Sequence, residues 1–375
     1  MSADRERAEV PRVIHVTTAH RADDVRIFER ECRSLAASGR YAVYLAAAGS
    51  IPAGSGVTLI PLPPAPSGRV GRFSSGPRKA LALARVVDTD LWHFHDPELL
   101  PVALKLARAG HRVIWDAHED YVTQFTEAGA KNWVPGPARG VVRAGTRALL
   151  RQVDTHAAGV VAATPTIASR YCSPRTVVVG NEARLDLFSD CRPDFDSRQV
   201  LFTGSAGPGH LFDEVVRAVA MVPGARLAVA GREPDPFVWT RASQILGDRV
   251  RHLGWLGRSA VAAAMSASTL GLSTYADIPT NAENSPNKLF EFGAAGLPVV
   301  ATPTKANTRF LTASGAGTLA SGFGAREIAE AVSSTLSDRI RWESASVAGR
   351  QWAARAGSWS QSEARLLHLY ADVLD

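Results

Sequence analysis

Residues 283–302 read ENSPNKLFEFGAAGLPVVAT, and in that order they make a loop, a capped helix and a buried strand. Ser285 suits a helix N-cap, and Pro286 suits the first helical position, where its missing N–H costs nothing and its fixed φ already fits. Gly296 is placed for the left-handed position past the helix end. Pro298 follows, and residues 299–301 then read as a short buried strand. The open N–H groups at the start of such a helix, with the positive end of its dipole, favour an anion. Lys288 adds a charge within the first turn, so a phosphate fits there.

Glu283 and Glu291 flank that point. In a continuous helix they would stand roughly 12 Å apart, too far for a carboxyl pair closing on one bond as in a retaining glycosidase, where the gap is about 5 to 5.5 Å. Two contacts along one extended, phosphate-containing ligand fit better. The plain alternative is a surface acid beside an ordinary capped helix.

At 375 residues the chain exceeds the size at which one core usually keeps growing, so two domains are expected. The sequence contains no run of 18 apolar residues, and its start, MSADRERAEVPR, lacks the apolar stretch of a signal peptide, which implies a cytoplasmic protein. Cys32, Cys172 and Cys191 are scattered without a CxxC spacing, so neither a disulfide framework nor a zinc site is expected from them. A formal charge of +6 and a pI near 9.5 favour an anionic partner. Nucleic acid is the least supported choice, because there is no zinc-finger spacing and no aromatic-basic RNA signature.

From the start, residues 13–17 (VIHVT) read as a strand and residues 27–38 as a helix ended by Gly39. Strands follow at 41–47 and 57–62, then a Pro/Gly/Ser/Arg-rich loop over 63–77. A helix at 80–87, a strand at 91–94, a helix at 99–109 and a strand at 113–117 continue the alternation. This pattern implies βαβ units and a parallel sheet, whose ligands gather at the carboxyl ends of the strands. Those ends carry His20, Asp23, Asp24 and Arg26, then His95, Asp96 and Glu98, then Asp116, His118, Glu119 and Asp120. A single histidine in such a place is more often structural. Three strand ends repeating the theme point to a functional crevice. Residues 133–154 then carry Arg139, Arg143, Arg147 and Arg151 at i+4 spacing, one basic stripe on a helix. It is either a solvated face or a contact with an anionic membrane surface or an anionic acceptor.

Strands at 160–163 and 177–179 complete the first half, and the Asp-rich stretch 181–198 suits a domain boundary. The alternation restarts with strands at 200–203, 226–230, 250–253, 270–273 and 299–302. Helices are expected at 212–221, 237–245, 259–267 and 286–295. Beyond Arg326 the chain reads as helical, with Trp342, Trp352 and Trp359 as packing anchors. The glycine-rich loop 204–209 (GSAGPG) lacks the GxGxxG order of a dinucleotide site and reads equally as a phosphate-approach loop or a tight turn.

Glu283 and Glu291 in an E-x7-E arrangement, with PNKLFEFGAAGLPVVAT, resemble the nucleotide-sugar segment of the retaining family 4 glycosyltransferases. The stretches HVTTAHRADDVRIFERECRSLAASG, WHFHDPELLP and VIWDAHEDY are similar to first-half segments of bacterial members, in the same order. The resemblance implies an α/β GT-B fold of two doubly wound Rossmann-like domains facing each other across a crevice. Its expected divisions are 1–183 on the acceptor side, 184–355 for the nucleotide sugar, and a C-terminal helix in 356–375 packing back towards the first domain. It implies transfer of a sugar from a UDP- or GDP-type donor with retention, without cofactor or metal, in natural product or polysaccharide biosynthesis. Glu283 and His118 would be catalytic. Asn284, Ser285, Asn287, Lys288, Glu291, Gly204, Ser205, His210 and Arg232 would bind the donor, and Asp24, Arg26, His95, Asp96 and Glu119 would line the acceptor side.

One departure stands out. Where the family carries an Arg or Lys that clamps the diphosphate, this chain has SAGPGHLFDE, with only His210 in reach. Two other outcomes therefore stay open on the same fold: a sugar-nucleotide 2-epimerase or hydrolase, and a non-catalytic partner subunit. Donor base, sugar, acceptor and oligomeric state are not fixed by these residues.

Overall fold

The computed structural model describes residues 10–64, 69–126, 134, 136–278, 281 and 285–375. The chain divides into two compact units. One holds the described residues up to Thr126, those from Val134 to Gly180, and Ser360–Asp375; the other holds Asn181–Trp359.

The first unit is a seven-stranded, all-parallel sheet of β1 (Arg12–Arg21), β2 (Ala42–Ala48), β3 (Val57–Pro61), β4 (Leu91–Phe94), β5 (Val113–Ala117), β6 (Gly159–Ala162) and β7 (Thr176–Val178). Its order is β3-β2-β1-β4-β5-β6-β7. The second unit repeats the plan in six strands, β8 (Gln199–Thr203), β9 (Arg226–Ala230), β10 (Val250–Gly254), β11 (Leu270–Ser273), β12 (Val299–Ala301) and β13 (Gly317–Leu319), ordered β10-β9-β8-β11-β12-β13. β4 and β5 are buried along their whole length, so they lack the apolar–polar alternation of a half-exposed strand, and their polar members His93 and Asp116 are buried with the rest. Strand order reverses direction between β1 and β4 in the first sheet and between β8 and β11 in the second. Open α/β sheets bind their ligands outside the carboxyl ends at such points.

Three expectations need correction. Part of the loop expected over 63–77 is helix, because Arg69–Leu83 runs straight through Pro77. Here tertiary packing outweighs local preference: a Cβ on Gly76 would lie 2.9 Å from Thr18 Oγ1 and 3.1 Å from Glu98 Cγ, so this glycine lets the helix sit directly on the switch point. The helix expected at 27–38 opens as a π-helical segment, Val25–Cys32, before an α-helical turn, Arg33–Ala37. All seven residues from Arg26 to Cys32 are buried. The helix expected from Pro286 begins at Asn287; Pro286 is its N-cap, with no side-chain cap, and Ser285 instead offers its carbonyl to Asn181 Nδ2 at 2.7 Å. The far end is as read, with Gly296 at φ +65°. The helix Lys305–Ser314 and strand β13 were not foreseen.

Candidate active site

At the switch point of the first unit, Asp96 is fully buried and gathers the C-terminal part of β1. Its Oδ2 accepts from Thr17 Oγ1 (2.8 Å), Thr18 N (2.5 Å) and Ala19 N (2.9 Å), while Oδ1 lies 2.8 Å from His20 Nδ1. Burial works against the Asp96 charge, but His20 and these donors hold its carboxyl well below the usual range. His20 answers in kind. Burial works against its proton, yet the Asp96 carboxylate outweighs burial and raises the imidazole to about 9, on a side chain still 37% exposed.

One strand over, Asp116 at the end of β5 joins Arg26 to a cluster of histidines. Arg26 NH2 lies 3.0 Å from Asp116 Oδ1, its Nε lies 3.1 Å from Glu31 Oε1, and its NH1 donates to the carbonyl of Val179 at 2.8 Å. Arg26 is 5% exposed. The expectation of an acceptor-facing cation is therefore corrected: this arginine is a buried strut tying the π-helical segment to β5 and the end of β7. Asp24 has a local task too, its Oδ1 capping that segment through Arg26 N and Ile27 N at 2.9 and 3.0 Å.

His95 sits between two layers of this cluster. His15 Nδ1 is 2.9 Å from its Nε2, while Asp116 Oδ2 and His118 Nε2 are each 3.2 Å from its Nδ1. His118 Nε2 is also 3.0 Å from Asp116 Oδ2. Deeper still, the Tyr370 hydroxyl lies 2.9 Å from His15 Nε2 and 2.7 Å from His93 Nδ1. Burial, the largest influence on each, lowers His15, His93 and His95. Of the residues assigned to the acceptor side, His95 and Asp96 are wholly buried, while Glu119 and the catalytic candidate His118 are partly exposed. Sequence reading missed His15, His93, Glu31 and Tyr370 as partners. A signal existed for two of them, since His93 on β4 and His95 just past its end are two positions apart and His15 is in register with His93.

In the second unit the helix Asn287–Ala295 starts beside the loop after β8. Lys288 Nζ is buried and has no hydrogen-bond partner among the described residues; it lies 5.2 Å from the ring centroids of both Phe202 and Tyr275. It is also close to Gly204, on which a Cβ would stand 3.7 Å from Nζ. Gly204 has φ +120°, a conformation that favours glycine, and Gly204 and Ser205 are exposed. Burial lowers Lys288 to about 7, with Glu291 acting in the opposite sense. Glu291 itself meets Arg258 NH1 at 3.1 Å. His210 packs its ring 4.9 Å from Tyr275, and Arg232 is exposed just beyond β9. Asn287 opens the helix, partly exposed. Glu283 and Asn284 lie outside the described residues.

Comparison with known proteins bears on the fold. A family model described as glycosyl transferase-like matches residues 210–368. Sucrose-phosphate synthase from Thermosynechococcus elongatus superposes with a TM-score of 0.75 at 19% identity, over 96% of this chain and 98% of that one. The fold is that of the GT-B glycosyltransferases. WaaG, a glycosyltransferase involved in lipopolysaccharide biosynthesis, gives 0.71 at 17% identity over 95% of this chain and 99% of its own. Anabaena HepE, in complex with UDP-glucose, gives 0.70 at 12% identity over 96% and 99%. No curated protein gives a significant sequence match. Among the described residues no helix is long and apolar enough to cross a membrane. The arginine-bearing helix Arg139–His156 turns Thr146, Leu150 and Val153 inward; Arg147 and Arg151 are exposed, but Arg139 donates through Nε to the Val134 carbonyl at 3.2 Å.

Proposed function

We propose that this protein is a retaining glycosyltransferase that moves a sugar from a nucleoside diphosphate donor to a glycan or small-molecule acceptor, with no metal on the diphosphate. The observation that carries this reading is Lys288. A buried lysine amine with no hydrogen-bond partner among the described residues, in the first turn of a helix and beside a glycine loop, is a costly arrangement unless an anion completes it. A diphosphate has the right charge. As the bond between sugar and diphosphate breaks, negative charge builds on the leaving phosphate. Lys288 and the helix N-terminus are already aimed at it, which is the kind of preorganisation that lowers such barriers. The acceptor hydroxyl bonds to the anomeric carbon, and its proton passes to the departing phosphate on the same face. Glu283 supports the positive sugar and Glu291 holds the ribose; His118 is the catalytic candidate of the first unit.

The complex of HepE with UDP-glucose makes UDP-sugars the first donors to try. Incubation with UDP-, GDP- and dTDP-sugars, followed by NMR of the anomeric proton in the product, tests the reading. A glycoside with the donor's configuration, abolished in a folded Glu283→Ala variant, is expected. A new sugar nucleotide formed without acceptor would establish an epimerase. Donor cleavage unaffected by Glu283→Ala would overturn the assignment. A non-catalytic reading is favoured only by the lack of Arg or Lys in residues 204–211, and Lys288 supplies the cation that this loop lacks.

A further inference from the structure

The histidine cluster of the first unit carries an inference that does not depend on the donor reading. His95 Nδ1, His118 Nε2 and Asp116 Oδ2 form a nearly equilateral triangle, with sides of 3.2, 3.0 and 3.2 Å. Bonds of about 2.0 to 2.1 Å from one central ion, at angles somewhat below tetrahedral, give separations of this size. Two imidazoles and a carboxylate are donors suited to zinc and neighbouring first-row metals, and not to magnesium or calcium. We propose that His95, His118 and Asp116 bind a divalent ion of the zinc class.

The surrounding hydrogen bonds support an ion on independent grounds. Without one, His95 Nδ1 and His118 Nε2 must both donate their hydrogens to Asp116. His95 Nε2 then accepts from His15 Nδ1, His15 Nε2 accepts from Tyr370, and the Tyr370 oxygen accepts from His93 Nδ1. That order leaves His93 Nε2 a bare lone pair, buried, 3.8 Å from Asp116 Oδ2 and without a hydrogen-bond partner among the described residues. Two acceptors facing each other in the dark interior are costly. With an ion on His95 Nδ1, the hydrogen moves to Nε2 and each bond in the chain reverses. His93 Nε2 then carries a hydrogen, which faces the carboxylate. Ligating histidines are typically held in this way, by a hydrogen bond from the other ring nitrogen. Burial and the neighbouring Asp116 hold the Glu31 carboxyl well above its usual range, so the negative charge at this point is that of Asp116, with Arg26 beside it.

The ion would act as a positioning element. Bonded through Nε2, His118 would turn an Nδ1–H outward as a donor; held only by Asp116, it would turn outward an acceptor. The ion thereby sets which kind of sugar or acceptor atom His118 can meet.

The test is metal analysis of the full-length protein purified from zinc-supplemented medium, followed by chelator stripping and titration with Zn2+ against a chromogenic competitor. About one equivalent of zinc per chain is expected, with affinity falling at least about tenfold in His118→Ala and in His95→Gln. A denaturant melt of each variant separates lost binding from lost folding. Co2+ in place of Zn2+ should give the visible bands of a tetrahedral nitrogen and oxygen site, without the near-ultraviolet band of a cysteine ligand. Folded wild-type protein that takes up less than a tenth of an equivalent overturns the proposal. So does uptake that is unchanged in both variants, or a thiolate band from exposed Cys172.

Discussion

The ammonium of Lys288 sits over Gly204: a methyl group built on that glycine would come within 3.7 Å of Nζ, with the rings of Phe202 and Tyr275 each 5.2 Å away. Two apolar faces and one backbone turn enclose a charge that burial lowers to about 7. An incoming diphosphate would raise it again. The sign follows from linkage: below about pH 7 the lysine is already protonated and donor affinity is level with pH. Above that, binding must take up a proton, so affinity falls by up to about tenfold per pH unit until the bound-state value is reached. Isothermal titration between pH 6 and 9 should show this slope in wild type. Lys288→Met should bind more weakly and show no such slope.

Gly231 supports the same loop from below. A Cβ there would fall 2.2 Å from the carbonyl oxygen of Gly204, a backbone atom that can yield only by moving the loop. Gly231→Ala should therefore weaken donor binding about tenfold or more, while costing roughly 1 to 3 kcal/mol of stability from overpacking. Calorimetric titration and a denaturant melt of the same variant separate the two effects.

Arg26 gives a contrasting case, since its guanidinium serves two buried carboxylates and a strand-end carbonyl. Removing one partner of a buried ion pair typically costs about 3 to 5 kcal/mol. Arg26→Met should lower the urea midpoint by a corresponding amount, whereas a residue that only touched an acceptor would leave the midpoint unchanged.

His20 and Asp96 should reveal themselves in a pH titration followed by NMR. The His20 imidazolium should persist to about pH 9, and Asp96→Asn should return its titration towards ordinary histidine values. Because the folded value lies above the unfolded one, the stabilisation is fully present below about pH 6.5 and fades as pH rises through about 9. Wild type should lose this increment over that window, and Asp96→Asn should not.

The sheets were legible in the sequence because their strands are buried on both faces: LWHF and VIWDA are short, mostly apolar runs followed by polar residues. Gly296 and the helix Phe212–Met221 were equally plain, each carrying a local signal. What stayed hidden depends on distant partners. Pro77 and Gly76 read as loop until Thr18 and Glu98 are seen beneath them. Tyr370 is 277 positions from His93, and no spacing rule joins them. Arg26 illustrates the same limit at the candidate site: its place after a strand suggested a ligand contact, and only its burial against Glu31 and Asp116 reveals a strut. β13 is three residues long, too short for periodicity to register.

The central claim is that the second unit binds a nucleoside diphosphate sugar through Lys288 and the loop at Gly204. The most direct measurement is calorimetric titration of wild type and Lys288→Met with UDP-, GDP- and dTDP-sugars at pH 6.5. At least one donor should bind wild type with a dissociation constant below about 1 mM, some −4 kcal/mol, and bind Lys288→Met at least about tenfold more weakly. Absence of heat for every donor at millimolar concentration, or equal affinity in both proteins, would contradict it.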